Sequence, residues 1–354
     1  MSVIPTALIG VDHPHISEWQ GVLDRVPDLN MIAAYDPVGE AARTRLEGRY
    51  APLPIYDNLS ELLARHQVEA ALVLLSLRQA EEVMLPLARA GVHMMVEKPV
   101  ARTAAALERI GAELKTGTVF YAGYAWRFDA LPRHLRMFVE QGIFGDLWSV
   151  EMRWITSKVG RREGVPPHRD PRSWLFRREE SRGGMLQWLG CHWIDMMLYI
   201  TGQQVVSVAA MTARQTTDEI EVDDTATVLL RFGNGMLGSL HVGYLLPEGT
   251  QTYWGLRGAL GWARHDFQDE RRFTVHSQHP DWITAPTKYY DFPVPPNATY
   301  GRNSAQALLL DFVRCIRQGG VAPAESVATA LETLRVLDAA YEAAETGQTV
   351  QVRS

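Results

Sequence analysis

The sequence predicts an α/β protein in two parts. Residues 1–124 read as a doubly wound, parallel sheet, and residues 125–354 as an α+β domain on a large, mostly antiparallel open sheet. Three observations lead there. Up to Gly123, continuous apolar runs alternate with helical patterns, the rhythm of strands buried on both faces by crossover helices. Within that rhythm, Gly91-Val92-His93-Met94-Met95-Val96-Glu97-Lys98-Pro99-Val100 sets a charged pair directly after a buried strand, at the end where open parallel sheets bind ligands. Beyond Tyr124 the apolar period changes to two, and Gly233-Asn234-Gly235 carries a hairpin signal.

Taken in order, Thr6-Ala7-Leu8-Ile9 is a strand entering a turn at Gly10, and Ser17-Glu18-Trp19-Gln20 has the Ser-x-x-Gln spacing of a helix capping box. Asn30 to Tyr35 is a second buried strand ending at Asp36, and Gly39 to Arg49 reads as a helix. Leu59 to Arg65 is helical in pattern, Glu69 to Leu75 is an apolar strand, and Gln79 to Ala90 is a helix stopped by Gly91. Pro99 cannot donate to a ladder, so it ends the next strand; a cis peptide is least costly at such an X-Pro turn. Thr103 to Leu114 supplies another helix and Val119 to Gly123 another strand. In the second part, Leu147 to Ile155 is a strand, a loop rich in Arg, Pro and Gly follows, and Gly184 to Ile200 is a mostly apolar helix ended by Gly202. Thr225 to Phe232 puts Ala226, Val228, Leu230 and Phe232 on one face, ahead of a strand from Met236 to Tyr244 and further short strands through Thr274. Ser304 to Gln318 and Ala324 to Ala344 read as closing helices, with Gly347 as the stop.

A net charge of −6 gives no broad basic field, which argues against a nucleic-acid partner. Arg161, Arg162, Arg169, Arg172, Arg177 and Arg178 cluster locally and suit either an anionic ligand or a solvated loop. Cys191 and Cys315 are too few for a disulfide framework. With no signal-peptide pattern and no run of about 18 apolar residues, a soluble cytoplasmic protein without a membrane partner is expected.

In a GxGxxG fingerprint the glycines allow the turn, the approach to a pyrophosphate and helix packing. Only Gly10 is kept; Asp12 and His15 hold the other two positions. A carboxylate about 4 Å from a pyrophosphate charge is unfavourable by roughly 1 to 4 kcal/mol in effective dielectrics of about 80 to 20. The loop is therefore expected to take a different path or to turn Asp12 away. His13 and His15 can face the phosphates beside the helix N-terminus, and spacing supplies no third ligand for a metal. Asp36 reads either as an acceptor for both ribose hydroxyls, which favours NAD over NADP, or as a turn residue before Pro37.

At helical spacing Trp188, His192, Asp195 and Tyr199 share one face of the helix that follows Gly183-Gly184. That stripe is either an imidazole buried against Asp195 among aromatics or, where it meets Lys98, a catalytic face.

These stretches and the order of elements around them resemble the Gfo/Idh/MocA family of NAD(P)-dependent oxidoreductases, which act mainly on sugars, polyols and related compounds. Gly10, Asp36, Glu97-Lys98-Pro99, Trp126-Arg127-Phe128, the Gly183-Gly184 to Asp195 helix, Asp223-Asp224 and Gly255-Leu256-Arg257-Gly258-Ala259-Leu260 carry the resemblance. It implies a Rossmann domain followed by a domain whose open sheet often forms oligomer contacts, hence a homo-oligomer. It also implies Lys98 at the reacting hydroxyl or carbonyl and His192 as general acid/base, an imidazole being the side chain that titrates near working pH. NAD is then expected on Gly10, Asp12, His13, His15, Asp36, Ser76, Glu97 and Lys98, and a carbohydrate-like substrate on Tyr124, Arg127, Asp170, Trp188 and His192. Many members carry Asp four residues before the His, where this chain has Trp188. An indole can stack on a sugar face, and the proton then needs another route, through Asp170 or Tyr124.

The leading expectation is an NAD-dependent dehydrogenase interconverting a secondary alcohol and a ketone on a sugar, polyol or cyclitol. One alternative retains NAD and cleaves or eliminates through transient oxidation. Another is a non-catalytic dinucleotide-binding protein.

Overall fold

The structure, a computed structural model, describes residues 2–160, 169–266, 272–292, 298, 300–319 and 326–353. The chain divides into two compact units. The first comprises Met1–Ala125, Glu179–Ser181 and Asn297–Leu331, and the second Trp126–Arg178, Arg182–Pro296 and Glu332–Ser354.

The first unit runs β1 (Ile4–Ile9), α1 (Ile16–Leu23), β2 (Leu29–Tyr35), β3 (Ile55–Tyr56), α2 (Leu59–Arg65), β4 (Ala70–Val73), α3 (Leu77–Ala90), β5 (His93–Val96), α4 (Ala104–Gly111) and β6 (Phe120–Ala122). Its strands pair in parallel in the order β3-β2-β1-β4-β5-β6. The order reverses between β1 and β4, so a crevice opens at their carboxyl ends, the ligand position of doubly wound sheets. All four residues of β4 are buried, as a strand covered on both faces requires. Side chains start the helices: Asn58, Ser76 and Thr103 accept from the N–H of Glu61, Gln79 and Ala106. Gly91, left-handed at φ 80°, ends α3. The helix Ser304–Arg317 returns to this unit, where Asp311 accepts from the Tyr121 hydroxyl at 2.5 Å and Phe312 meets the Tyr121 ring edge-on.

Two local expectations differ from the structure. No capping box forms at Ser17: α1 begins at Ile16, the Ser17 hydroxyl reaches Glu47 at 3.3 Å, and the Gln20 side chain bonds Arg45 O and Glu47 N. The segment those groups hold, Gly39 to Arg49, is not an α-helix but two 3₁₀ pieces, Gly39–Arg45 and Gly48–Tyr50. Each starts at a glycine with positive φ, 55° and 52°, which breaks the α ladder.

The second unit contributes α5 (Ala130–Glu140) and β7 (Leu147–Ser157); after α6 (Arg178–Ser181) come α7 (Cys191–Thr201), β8 (Val205–Ala213), β9 (Thr225–Phe232), β10 (Leu237–Leu246), β11 (Thr250–Gly258), β12 (Gly261–Asp266), β13 (Arg272–Ser277) and β14 (Thr287–Asp291). Past the helix Ser304–Arg317 (α8), α9 (Val327–Thr346) leads to β15 (Val350–Gln351). The nine strands lie in the order β14-β13-β12-β11-β7-β10-β9-β8-β15. Only the β7–β10 pairing among them is parallel. Ala226, Val228, Leu230 and Phe232 share the buried face of β9, as their alternation predicts. Leu135 of α5, Ile200 of α7 and Val150 and Met152 of β7 line one interior space, so these helices cover that face. Among the described residues no helix is long and apolar enough to cross a membrane.

Gly10 ends β1 at φ 94°, and a Cβ there would stand 2.3 Å from the Leu74 carbonyl oxygen at the end of β4. The tightest point of the first sheet is thus the switch point itself. Gly10→Ala is expected to cost about 2–4 kcal/mol of stability through strain and overlap, read as a lower midpoint in urea unfolding.

Candidate active site

In the first unit, Asp36 is buried and spends its carboxylate on backbone. Oδ2 accepts from Val11 N at 2.8 Å and Asp12 N at 3.2 Å, and Oδ1 accepts from Val38 N at 3.1 Å. These bonds close the β1–α1 loop, and Gly10 N adds a bond to Tyr35 O at 2.7 Å. A carboxylate has about four acceptor positions, so Oδ1 keeps room for one further donor. The Asp12 carboxylate is exposed and pairs with Arg45 at 3.0 Å. His13 is buried, and its Nδ1 accepts from His15 N at 3.1 Å, which assigns the neutral ring's proton to Nε2. The His15 ring stacks on Tyr300 at 5.1 Å and 30°.

Tyr300 also meets Trp19 edge-on, and Trp19 Nε1 donates to Glu97 Oε1 at 3.3 Å. The other Glu97 oxygen accepts from Lys98 N at 2.5 Å. Helix α1 therefore connects the Gly10 loop to the end of β5. Lys98 is 2% exposed, at the strand's carboxyl end, and its bond to Pro99 is cis. Gly123 N donates to Val96 O, and a Cβ on Gly123 would fall 3.1 Å from both Glu97 Cα and Lys98 N. The sequence reading did not single out Gly123 as a site residue, although it fixes how closely β6 approaches the Glu-Lys pair. Ser76 caps α3 and donates to Glu180 Oε2 at 2.5 Å, while Arg78 holds the other Glu180 oxygen at 2.8 Å. Tyr124 is fully buried beside this sheet end.

In the second unit, the helix bearing His192 begins with its free N–H groups fully answered. Gly184 N and Leu186 N donate to the two carboxylate oxygens of Asp223 at 2.9 Å each, Met185 N donates to Asp223 O, and Gln187 N to the Tyr341 hydroxyl at 3.1 Å. A helix leaves four such donors at its start. The Tyr341 hydroxyl in turn donates to Asp223 at 2.9 Å. Burial raises the Asp223 carboxyl above its usual range against these hydrogen bonds, and burial beside that carboxylate pushes the Tyr341 phenol well up, so it remains a donor. Gly183 and Gly184 are needed here: Cβ atoms on them would stand 1.9 Å from Tyr341 Oη and Asp223 O.

The helix then differs from its expected path. Leu186–Gly190 is a π-helical turn, and regular α7 starts at Cys191. The extra backbone of such a turn shifts the phase between Trp188 and His192 from the spacing-four relation. Trp188 is buried and meets Trp174 edge-on at 5.6 Å and 89°. The His192 ring lies on Trp126, 4.0 Å between centroids and 11° between planes. Asp195 holds the Arg127 guanidinium in a buried pair at 2.6 Å and 2.9 Å, with Thr333 at 3.5 Å. Asp170 clasps Arg172. Arg169 donates to Thr156, and Arg177 and Arg178 reach Glu221; Arg161 and Arg162 lie outside the described residues.

Removing one partner of a buried ion pair leaves a charge without compensation. Arg127→Met is therefore expected to cost about 3–5 kcal/mol, whereas Arg127→Met combined with Asp195→Leu recovers most of it. Urea unfolding of the two variants measures the difference.

Comparison with known proteins agrees with these two units. The family model for an oxidoreductase family with an NAD-binding Rossmann fold matches residues 4–124, and that for a GFO/IDH/MocA C-terminal domain matches residues 133–264. A myo-inositol 2-dehydrogenase of Thermotoga maritima is 32% identical over 215 residues, 60% of either chain. A putative UDP-kanosamine synthase oxidoreductase subunit of Amycolatopsis mediterranei is 26% identical over 260 residues, 68% of either chain. The solved structure of an Agrobacterium radiobacter oxidoreductase in complex with NAD+, L-tartaric acid and magnesium superposes with a TM-score of 0.82 over 99% of both chains at 20% identity, a likeness of fold. With both family models matched in chain order, the protein belongs to the Gfo/Idh/MocA family of oxidoreductases and carries that family's NAD-binding Rossmann domain.

Proposed function

We propose that the protein is an NAD-dependent dehydrogenase that interconverts a secondary alcohol and a ketone on a sugar, polyol or cyclitol, with Lys98 and His192 serving the reacting oxygen. The observation that carries this reading is the buried Lys98 amine at the carboxyl end of β5, behind a Glu97 carboxylate committed to Trp19 and to the Lys98 amide. A lysine at the carboxyl end of a parallel strand stands where such sheets bind their ligands.

The residues of the first unit suit the cofactor. A side chain at Gly10 would collide with the Leu74 carbonyl at the end of β4, Asp12 points to Arg45, and Oδ1 of Asp36 can accept a ribose hydroxyl while Oδ2 keeps the loop closed. Both oxygens of a buried carboxylate repel a 2′-phosphate, which favours NAD over NADP. NAD bound there would supply the acceptor or donor of the hydride. Lys98 stabilises negative charge developing on the substrate oxygen, and His192 removes or restores that oxygen's proton. Trp174, half-buried and edge-on to the buried Trp188, keeps ring surface for a sugar face. The cyclitol class draws support from the myo-inositol 2-dehydrogenase relative.

A homo-oligomer through the large sheet belongs to the same proposal. Met211, Leu229 and Leu237 are 80%, 57% and 52% exposed, and the pairings β8–β9 and β9–β10 put all three on one face. Leu229→Glu is expected to lower the native mass in light scattering without loss of secondary structure; an unchanged mass places the contact elsewhere.

Lys98→Ala and His192→Ala are each expected to lower kcat by about 10²–10⁴-fold, with NAD affinity little changed. NADH absorbance during incubation with myo-inositol and a panel of sugars and polyols is the measurement. Full activity in both variants rejects the two roles. A cleaved product without net NADH identifies the redox-neutral alternative.

A further inference from the structure

We infer that Trp126 is a positioning residue that fixes the ring plane of His192; this rests on the proposed proton transfer by that imidazole. The ring torsion of a histidine is broad and is not set by its rotamer alone. A flat neighbour 4.0 Å away and 11° from parallel sets it, because any turn of the imidazole drives an edge into the indole. Stacking engages a face of the imidazole, whereas its nitrogens exchange protons in the ring plane.

Trp126 is itself held. Its ring meets Trp193 at 4.9 Å and 61° and Trp154 at 6.0 Å and 46°. The next residue, Arg127, grips Asp195, almost one helical turn beyond His192. The chain pair 126–127 thus engages α7 twice, by a stack on position 192 and an ion pair on position 195. The ion pair fixes the register and the stack fixes the ring. A general base works only within narrow limits of angle and distance, so loosening the stack should cost rate and spare binding.

The test uses the full chain and two variants, Trp126→Leu, which removes the aromatic face, and Trp126→Phe, which keeps a smaller one. In NMR spectra the His192 Hε1 resonance, assigned by its loss in His192→Gln, is expected to be displaced upfield by the indole ring current, less so in the Phe variant, and to return to an ordinary position in the Leu variant. With a polyol that the wild type oxidises with NAD+, Trp126→Leu is expected to lose about 10–100-fold in kcat, with KM and NAD affinity within about twofold, and Trp126→Phe to recover most of the loss. An undisplaced wild-type resonance, a Leu variant that keeps its kcat, or a Phe variant as impaired as the Leu variant overturns the inference. If the wild type oxidises none of the panel, the dehydrogenase reading fails, and the resonance alone decides whether Trp126 fixes the ring.

Discussion

Buried carboxylates that have given their oxygens to backbone hold the working loops of this protein. An ionised group taken from water is costly unless donors surround it, and the donors here are amides that secondary structure cannot use. Asp36 takes the amides of the β1–α1 loop, and Asp223 takes those that open the His192 helix. Asp224 does the same for the Gln215–Thr216 turn. Each bond acts twice, satisfying a stranded N–H and fixing the loop or helix start that carries it.

That commitment narrows the chemistry. Asp195 is bound to Arg127, Asp170 to Arg172, and Glu97 to an indole and an amide, so several acids that look eligible for proton transfer already have structural occupations. Arg127, whose place among the substrate contacts the family resemblance suggests, has its guanidinium on Asp195.

The sequence makes the sheets legible because burial leaves a periodic trace. Apolar runs such as Ala70–Val73, set between helical patterns, suit doubly covered strands, and the alternation in Thr225–Phe232 declares which face is wet. Glu97 and Lys98 were legible for the same reason, as charges at a fixed end of an apolar run. What periodicity does not encode is the distant partner of a polar group. Nothing near Asp36 says that its oxygens will meet amides about 25 positions earlier, or near Gly183 that Tyr341 fills the space a side chain would need. The capping spacing at Ser17 misleads for that reason: Gln20 finds a better use on Arg45 and Glu47. The π turn at Leu186–Gly190 is hidden too, since its apolar residues suit an α-helix equally well.

Under the proposed proton transfer by His192, Trp188 bears on proton release more than on hydride transfer. A net alcohol oxidation must send a proton to solvent in every cycle, and a carboxylate within reach of the imidazole on its own helix would shorten that path. With an indole there and Asp195 tied to Arg127, an imidazole that takes the substrate proton is better placed to keep it than to pass it along that helix. Keeping it is no handicap when the same proton returns to the same oxygen, as in a redox-neutral cycle. It becomes a kinetic burden only when product leaves oxidised, and the burden then falls on the step after hydride transfer. On this argument the substitution separates the two enzymatic readings by where turnover is limited, while leaving the demand for Lys98 and His192 the same in both.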